Sequence, residues 1–266
     1  MQHQPFRTAY IDAFAGARYR TVTSPADPEP ALFPDLAEDA SQQFLDGSAR
    51  IALQVEPPFH RYIFIEKDDA KYHDLLRLKA DFPLLADRID VRKADANVEI
   101  QRLCRMNWRG RRAVLFLDPY GMQTQWDTIE AIATTRSIDL WNLWPLGMGL
   151  NRLLTRSGEI PEQWQNRLNA FLGTTDWFGR FYKVEPQASL LGHDAHVLVK
   201  ARTDVLAHYL NERLGEVFAA VAPNPKVLFN SKGNPLYLLC FAVGNPSAAA
   251  IRTALDIASH ILNMDD

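Results

Sequence analysis

Short apolar runs alternate with amphipathic segments through the first half of the chain, and this alternation restricts the possible folds more than any other feature. The runs that predict strands cover 10–14, 60–66, 89–93, 113–117 and 138–144. The spacing of apolar residues predicts helices over 69–80, 96–106 and 125–135. Apolar strands separated by helices indicate a parallel sheet that is covered on both faces.

The end of the chain predicts an antiparallel addition to that sheet. A helix over 203–221 precedes two apolar runs, 226–229 and 236–243, which flank the turn-forming sequence Ser231-Lys-Gly-Asn-Pro235. This pattern is typical of a hairpin, and a closing helix over 247–262 follows it. Five alternating strands with a terminal antiparallel hairpin match the seven-stranded, mostly parallel sheet of the α/β, Rossmann-like class I methyltransferase fold.

Two segments interrupt this plan. Trp, Arg and Asn recur at helical spacing from residue 148, which predicts a helical insertion over 148–202. We therefore expect one domain, made of an α/β half (1–147), this insertion, and a helix-hairpin-helix (203–266) that completes the sheet. Residues 23–47 contain four prolines and many acidic residues. Loops of this length are lids, binding loops or disordered linkers, and the sequence leaves these alternatives open.

Composition and motifs exclude several classes of protein. A chain of 266 residues with a net charge of -3 can bury one large core but has no general attraction for polyanions. Cys104 and Cys240 form no metal-spaced cluster, and no third ligand accompanies His193 and His196, so we expect no metal. Neither a signal-like start nor a membrane-length apolar stretch is seen, which favours the cytoplasm. The motifs of serine hydrolases, P-loop NTPases and dinucleotide oxidoreductases are absent.

Acidic residues lie at the carboxyl ends of the first four predicted strands, either in the strand or just after it. They are Asp12, Glu66, Asp95 and Asp118. Because the carboxyl ends of parallel strands meet at one edge of a sheet, where open α/β folds bind ligands, we expect these carboxylates to lie together. Each of the first three could instead cap a loop or a helix.

The first three acids fit a site for S-adenosyl-L-methionine (SAM). Asp12-Ala-Phe14-Ala-Gly16 resembles the acidic-x-Phe-x-Gly motif of SAM enzymes, in which a small residue admits the ligand and a carboxylate meets its cationic amine. The usual second glycine is replaced by Ala17-Arg18, so the turn can differ in shape. Glu66-Lys67 occupies the position of a ribose-binding carboxylate, and Asp95-Ala96 that of a group accepting the adenine amine.

The fourth acid begins the run Asp118-Pro119-Tyr120-Gly121. Enzymes that methylate the exocyclic amine of a base carry a similar Asp/Asn-Pro-Pro-aromatic tetrad after the fourth strand. Asp118 and the Pro119 carbonyl would accept the two N–H groups of the amine, and Tyr120 would stack on the base. Tyr120 stands where the second proline is usual, and the same run also makes an ordinary turn.

An acceptor surface is expected beyond the fifth strand, from Arg152 and Arg156 with Trp144 and Asn151, and packing between segments is the alternative. A second basic and aromatic cluster, at 102–112 and including Trp108, could hold phosphates. A solvated turn at the far edge of the sheet is the simpler interpretation of that cluster.

Several segments together resemble the three-Cys-motif partner (TcmP) family. They are Tyr10-Ile-Asp-Ala-Phe-Ala-Gly16, Gly47-Ser-Ala-Arg-Ile-Ala-Leu53, Phe64-Ile-Glu-Lys-Asp68, Phe116-Leu-Asp-Pro-Tyr-Gly121 and Ala242-Val-Gly-Asn-Pro246. The resemblance implies a SAM-methyltransferase-like fold, an association with phages or mobile elements, and a protein partner that bears a three-cysteine cluster. It implies no defined substrate.

These observations favour a SAM-dependent methyltransferase that acts on an exocyclic amine of a nucleic-acid base, in RNA or DNA. A non-catalytic SAM-binding or interaction module that works with the three-cysteine partner is the alternative. A methyltransferase for small molecules or proteins also stays open.

Overall fold

The computed structural model describes residues 6–15, 47–119, 121–187 and 195–264. Its strands are β1 (Arg7–Ala13), β2 (Arg61–Glu66), β3 (Ile89–Lys93), β4 (Arg111–Leu117), β5 (Ile138–Pro145), β6 (Tyr182–Gln187), β7 (Ala195–Lys200), β8 (Ala220–Val221), β9 (Lys226–Phe229) and β10 (Pro235–Val243). Its α-helices are α1 (Ser48–Leu53), α2 (Asp69–Asp81), α3 (Ala96–Cys104), α4 (Trp126–Thr134), α5 (Asn151–Leu153), α6 (Glu162–Leu172), α7 (Trp177–Phe181), α8 (Thr203–Val217) and α9 (Ala248–Leu262). A 3-10 helix covers Pro83–Arg88, and a π-helix, Leu146–Leu150, leads into α5.

The main sheet has the strand order β3-β2-β1-β4-β5-β10-β8, and β9 also pairs with β10. Strands β1 to β5 are parallel, whereas β10 runs antiparallel to β5, β8 and β9. Strand β5 pairs with one side of β10. The other side of β10 pairs with β8 and with β9, which together form one interrupted edge strand. The sheet therefore has seven strand positions and ends in the expected antiparallel hairpin, so the fold class is confirmed.

Hydrophobic cores cover both faces of the sheet. Strand β2 is buried at every position after Arg61, as expected for an interior strand of a parallel sheet that is covered on both faces. One core joins Leu115 and Leu140 to residues of α3, α4, α6 and α8. On the opposite face, Phe64 packs with α1 and α2, and a smaller core lies under α9. The alternation of side chains along each strand divides the apolar residues between these layers.

The insertion is not helical throughout. Among the described residues of the insertion, α5, α6 and α7 are the helices that follow the π-helix, and β6 and β7 form a separate two-stranded antiparallel sheet. The helical spacing belongs to α6, whereas strand β6 exposes alternate residues on both faces, including Val184 at 65% exposure. The helix expected over 203–221 ends at Val217, because the chain becomes extended at Phe218 and joins the edge of the sheet. The division of the chain into three segments stays a prediction.

Candidate active site at the carboxyl edge of the sheet

The strand order places the four acidic residues side by side along one edge. Because β3, β2, β1 and β4 are neighbours, the carboxylates follow in the spatial order Asp95, Glu66, Asp12 and Asp118. Adjacent strands are about 4.8 Å apart, so a ligand of moderate length can reach several of these strand ends. The chain connections reverse direction between β1 and β4. Asp12 and Asp118 therefore flank the switch point, where open α/β sheets bind ligands.

The end of β1 is held tightly against β2. Asp12 is 1% exposed, and the Ser48 hydroxyl donates a hydrogen bond of 2.6 Å to its Oδ2 atom. Phe14 has a φ of 72°, and the amides of Phe14 and Ala15 both donate to the Ile65 carbonyl, at 3.1 and 3.0 Å. This bend turns the chain at the edge of the sheet directly after the buried carboxylate. The sequence analysis placed Phe14 inside the first strand, whereas the strand ends at Ala13 and the chain bends at Phe14. It also missed Ser48, although Ser48 belongs to a segment that resembles the three-Cys-motif partner family.

Burial and the nearby Asp12 carboxylate raise the pKa of Tyr10 far above its ordinary value. Tyr10 therefore stays neutral at any physiological pH. Gly16, the last residue of the predicted cofactor motif, lies outside the described residues. So does the predicted loop at 23–47, apart from Gly47.

Glu66 ends β2 with its side chain fixed by the backbone that follows. Its Oε1 atom accepts hydrogen bonds from the amides of Lys67, at 2.8 Å, and Asp68, at 2.9 Å. The helix cap of α2 is a different residue, Asp68, which accepts from the amide of Lys71 at 3.0 Å. The Oε2 atom of Glu66 accepts no hydrogen bond from the described residues. Glu66 therefore serves the local backbone with one oxygen and can meet a ligand with the other.

The two carboxylate oxygens of Asp95 also differ in their partners. It is the N-cap of α3, and its Oδ1 atom accepts from the amides of Asn97, at 3.0 Å, and Val98, at 3.3 Å. Asp95 therefore caps α3, as the sequence allowed. Its Oδ2 atom accepts no hydrogen bond from the part of the chain that the structure describes. Asp95 is exposed, and the adjacent Ala96 is buried beneath it.

Ion pairs between β3 and α3 support this corner of the site. Arg92 pairs with Asp90, at 2.7 Å, and with Glu99, at 2.5 Å, and Glu99 also pairs with Arg102. Hydrogen bonds from Arg102 and Arg92 lower the pKa of Glu99 below its ordinary value despite partial burial. These contacts fix the chain on both sides of Asp95.

The tetrad begins directly after β4. Asp118 is half-buried and Pro119 is buried, whereas Tyr120 lies outside the described residues. Gly121 has a φ of 63°, a conformation that favours glycine, so the chain turns there.

Asn97 connects the turn after the tetrad to the start of α3. Its Nδ2 donates to the Gln123 carbonyl at 2.8 Å, and its Oδ1 accepts from the Gln125 amide at 3.0 Å and the Thr128 hydroxyl at 2.9 Å. Asn97 follows Asp95 by two residues and is 8% exposed. This buried side chain therefore fixes the start of α3 relative to the start of α4. The sequence offered no sign of it, since its partners lie far along the chain.

Arg167 of α6 was also missed by sequence reasoning. Its Nη2 atom lies 3.8 Å from the place that a Cβ would take on Gly121. The guanidinium is exposed and forms no ion pair or hydrogen bond with the described residues. A positive charge from the insertion thus stands beside the tetrad turn.

The expected acceptor surface needs one correction. Trp144 is 1% exposed and packs edge-on against Phe171, with ring centroids 5.0 Å apart. Its side chain shares the face of β5 that carries the main core, so it cannot stack on an acceptor. Asn151 is half-buried and accepts a hydrogen bond through its carbonyl from Lys200 Nζ, at 2.6 Å, whereas Arg152 is exposed.

The cluster at 102–112 lies at the opposite edge of the sheet from the acids, because it precedes and begins β4. The described residues contain no group of three or more His, Cys, Asp or Glu side chains placed to hold a metal ion. None of the helices described is both long enough and apolar enough to cross a membrane.

No protein-family model matches the chain, and no curated protein matches its sequence. The fold is similar to that of LPL1258 from Legionella pneumophila, of family DUF519, with 14% identity and a TM-score of 0.40 over 98% of this chain and 86% of that one. It is also similar to a protein named as a SAM-dependent methyltransferase from Listeria monocytogenes (10% identity, TM-score 0.38, 90% and 91% covered). A third neighbour is the 23S rRNA methyltransferase ErmE (10% identity, TM-score 0.29, 98% and 74% covered). Similarity this low carries no argument about function, and the resemblance to the three-Cys-motif partner family stays a prediction.

Proposed function

We propose that this protein is a SAM-dependent methyltransferase that acts on the exocyclic amine of a nucleic-acid base. The observation that carries the proposal is the spatial order of carboxylates across four adjacent strands, Asp95, Glu66, Asp12 and Asp118. A cofactor with an adenine, a ribose and a cationic amino acid needs hydrogen-bond acceptors in that order, with the acceptor amine beyond the last of them.

The residues present fit SAM. Glu66 Oε2 and Asp95 Oδ2 accept no hydrogen bond from the described residues and suit a ribose hydroxyl and an adenine amine, respectively. Asp12 suits the ammonium group, because a buried carboxylate at the bend after β1 attracts a cation strongly. Lys67, Ala96, Phe14 and Gly16 would supply backbone and packing contacts around these three acids. When bound, SAM supplies an electrophilic methyl group on a sulfonium.

The tetrad would position the acceptor. Asp118 would accept one N–H of the amine and the Pro119 carbonyl the other, which aims the nitrogen lone pair at the methyl carbon, while Tyr120 stacks on the base. Orienting two reactants in this way can contribute about 7–11 kcal/mol to lowering the barrier. The proton that the product amine loses would pass to solvent.

Transfer of labelled methyl groups from SAM tests this assignment. The purified protein is incubated with bulk RNA and, separately, with bulk DNA, and incorporation is compared with that of Asp118→Ala. We expect incorporation into one of the two polymers and a loss of at least about 100-fold in the variant, because alanine offers no acceptor for the N–H group. Asp127→Ala, which removes an exposed acid of α4, is the matched control and should retain full incorporation. Incorporation that survives Asp118→Ala would exclude the tetrad as the acceptor site.

A non-catalytic SAM-binding module acting with a three-cysteine partner is the second candidate. It is favoured by the separation of the cofactor acids, on β1 to β3, from the tetrad after β4, where Tyr120 replaces a proline. Binding of SAM without methyl transfer to RNA or DNA, with or without such a partner, would select this candidate.

A further inference from the structure

We propose that the insertion between β5 and α8 binds an unpaired nucleic-acid strand, with Arg167 holding a phosphate beside the tetrad and Phe178 stacking on a base. The inference rests on the proposed function and deepens it, because it identifies the acceptor as a single-stranded segment rather than a closed duplex. Three observations on the insertion support it.

The first observation is the position of Arg167. Its guanidinium stands 3.8 Å from the Cβ position of Gly121, directly after the tetrad, and forms no ion pair with the described residues. A nucleotide whose base contacts the tetrad brings its own phosphate close to the tetrad, and Arg167 is placed to contact that phosphate. Arginine suits that phosphate because its planar fork can donate two parallel hydrogen bonds.

The second observation is a pair of exposed cations, Arg152 and Arg156, on the turn after the π-helix. Neither forms an ion pair or a side-chain hydrogen bond with the described residues. Burial, with a further contribution from the positive charge of Arg156, lowers the pKa of neighbouring Lys200, whose Nζ donates to the carbonyls of Asn151 and Leu154 at 2.6 Å. Arg152, Arg156 and the neighbouring Lys200 outnumber Glu159, the one acidic residue of 151–160, so this segment carries a net positive charge. A surface for a polyanion requires such a local patch in a chain of net charge -3.

The third observation is an exposed aromatic ring on α7 that packs close to this turn. Phe178 is 42% exposed and stacks on Tyr182, with centroids 4.7 Å apart and an interplanar angle of 26°. The Tyr182 hydroxyl donates to the Thr155 carbonyl at 2.7 Å, and the Cβ position of Gly158 lies 3.5 Å from Phe178. The ring therefore packs close to Thr155 and Gly158, the residues on either side of the Arg156 turn. Aromatic rings beside cations are the means by which proteins bind unpaired strands, since a paired base offers no open face.

Fluorescence anisotropy tests the inference without any need for catalysis. The probes are a fluorescein-labelled, unstructured 20-nucleotide RNA, the DNA of the same sequence, and the duplex of that DNA, each titrated at several salt concentrations. We expect one of the two single strands to bind at least about 10-fold tighter than the duplex. Phe178→Ala should weaken that binding by roughly 5- to 150-fold with little change in salt dependence, as expected for a lost stacking contact.

Variants that remove an arginine charge should change the salt dependence of the affinity. Arg167→Gln and Arg156→Gln should each reduce the slope of log affinity against log salt by about 0.7. The matched control is Arg109→Gln, because Arg109 is an exposed cation at the opposite edge of the sheet and should not affect binding.

Each contrary result separates the two proposals. If no oligonucleotide binds while SAM does, or if Arg167→Gln and Phe178→Ala bind like the wild type, this inference fails and the cofactor site stands. If a single strand binds as expected but no methyl transfer is found, the proposed function fails and this inference survives. Equal displacement of the RNA by polyglutamate would identify a surface for an acidic protein and overturn the inference.

Discussion

Ser48 and Asp12 are 36 residues apart in the chain, yet the Ser48 hydroxyl donates a hydrogen bond of 2.6 Å to Asp12 Oδ2. The start of α1 therefore meets the end of β1 at a buried carboxylate. This is the carboxylate that we assign to the cofactor ammonium.

Removing this hydrogen bond should reduce both stability and cofactor affinity. A buried carboxylate that loses a donor costs about 1–3 kcal/mol, so we expect Ser48→Ala to lower the free energy of unfolding by that amount in urea titrations. Ser247→Ala is the matched control, since Ser247 is exposed at the start of α9 and its side chain makes no capping hydrogen bond. Equal stability of the two variants would show that the Ser48 contact is unimportant.

Asn97 should control the order of the turn after the tetrad. In Asn97→Ala the Gln123 carbonyl and the Gln125 amide lose their partner, which should cost about 1–3 kcal/mol. Hydrogen exchange at the Gln125 amide should accelerate at least about 10-fold, while exchange in β2 changes only as much as global stability does. Asn107→Ala, on an exposed loop, should leave Gln125 unaffected. Unchanged protection of Gln125 in Asn97→Ala would contradict the role given to this side chain.

Gly173 ends α6 at a φ of 67°, and a Cβ there would lie 2.1 Å from Trp126 Cδ1. Gly173→Ala should therefore lower the free energy of unfolding by about 3 kcal/mol or more, from backbone strain and displacement of a core tryptophan. Gly233→Ala separates these two causes. Gly233 has a similar φ of 74° but open space around its Cβ position, so that variant should lose only about 1–2 kcal/mol. Thermal denaturation that gave equal losses would mean that the Trp126 contact does not matter.

The stability of the protein should fall in acid partly through Glu99. Hydrogen bonds from Arg102 and Arg92 hold the pKa of this carboxyl below its ordinary value of 4.5. A carboxyl with a lower pKa in the folded state stabilises the fold above its ordinary value, and this contribution is lost as pH falls through the folded value. We therefore expect Glu99→Gln to be less stable than the wild type at pH 7, and the difference to shrink below about pH 4.5.

Denaturant titrations from pH 3 to pH 7 measure this difference. Glu162→Gln should track the wild type across the range, because Glu162 is exposed and pairs with no described cation. A gap between wild type and Glu99→Gln that stays constant with pH would contradict the assignment.

Local sequence patterns predicted the sheet well because each strand carries its own boundary signals. Strand β3 has the bounds expected, and β9 and the closing helix agree within one residue. Local sequence patterns could not predict the burial of Trp144. Along a strand alternate residues face opposite layers, and only the pairing of β5 with β4 and β10 shows that Trp144 shares the face of Leu140.

The acids of the candidate site were predicted from their positions after strands, but their environment was not. Which oxygen of Glu66 or Asp95 is used by the backbone depends on side-chain geometry. The contacts of Ser48, Asn97 and Arg167 join residues that are distant in sequence, so no local pattern could indicate them. The β6–β7 hairpin was missed because Pro186 and exposed residues on both faces obscure its alternation.

Calorimetric titration of the purified protein with SAM and with its demethylated product, alongside Glu66→Gln, tests the central claim most directly. Glutamine keeps a carbonyl oxygen for the Lys67 and Asp68 amides but replaces the second acceptor, so the fold should persist while the ribose contact is lost. We predict micromolar binding of both ligands, weakened by roughly 10- to 100-fold in Glu66→Gln and unchanged in Glu162→Gln. Absence of heat with either ligand, or equal affinity in Glu66→Gln, would contradict the cofactor site proposed here.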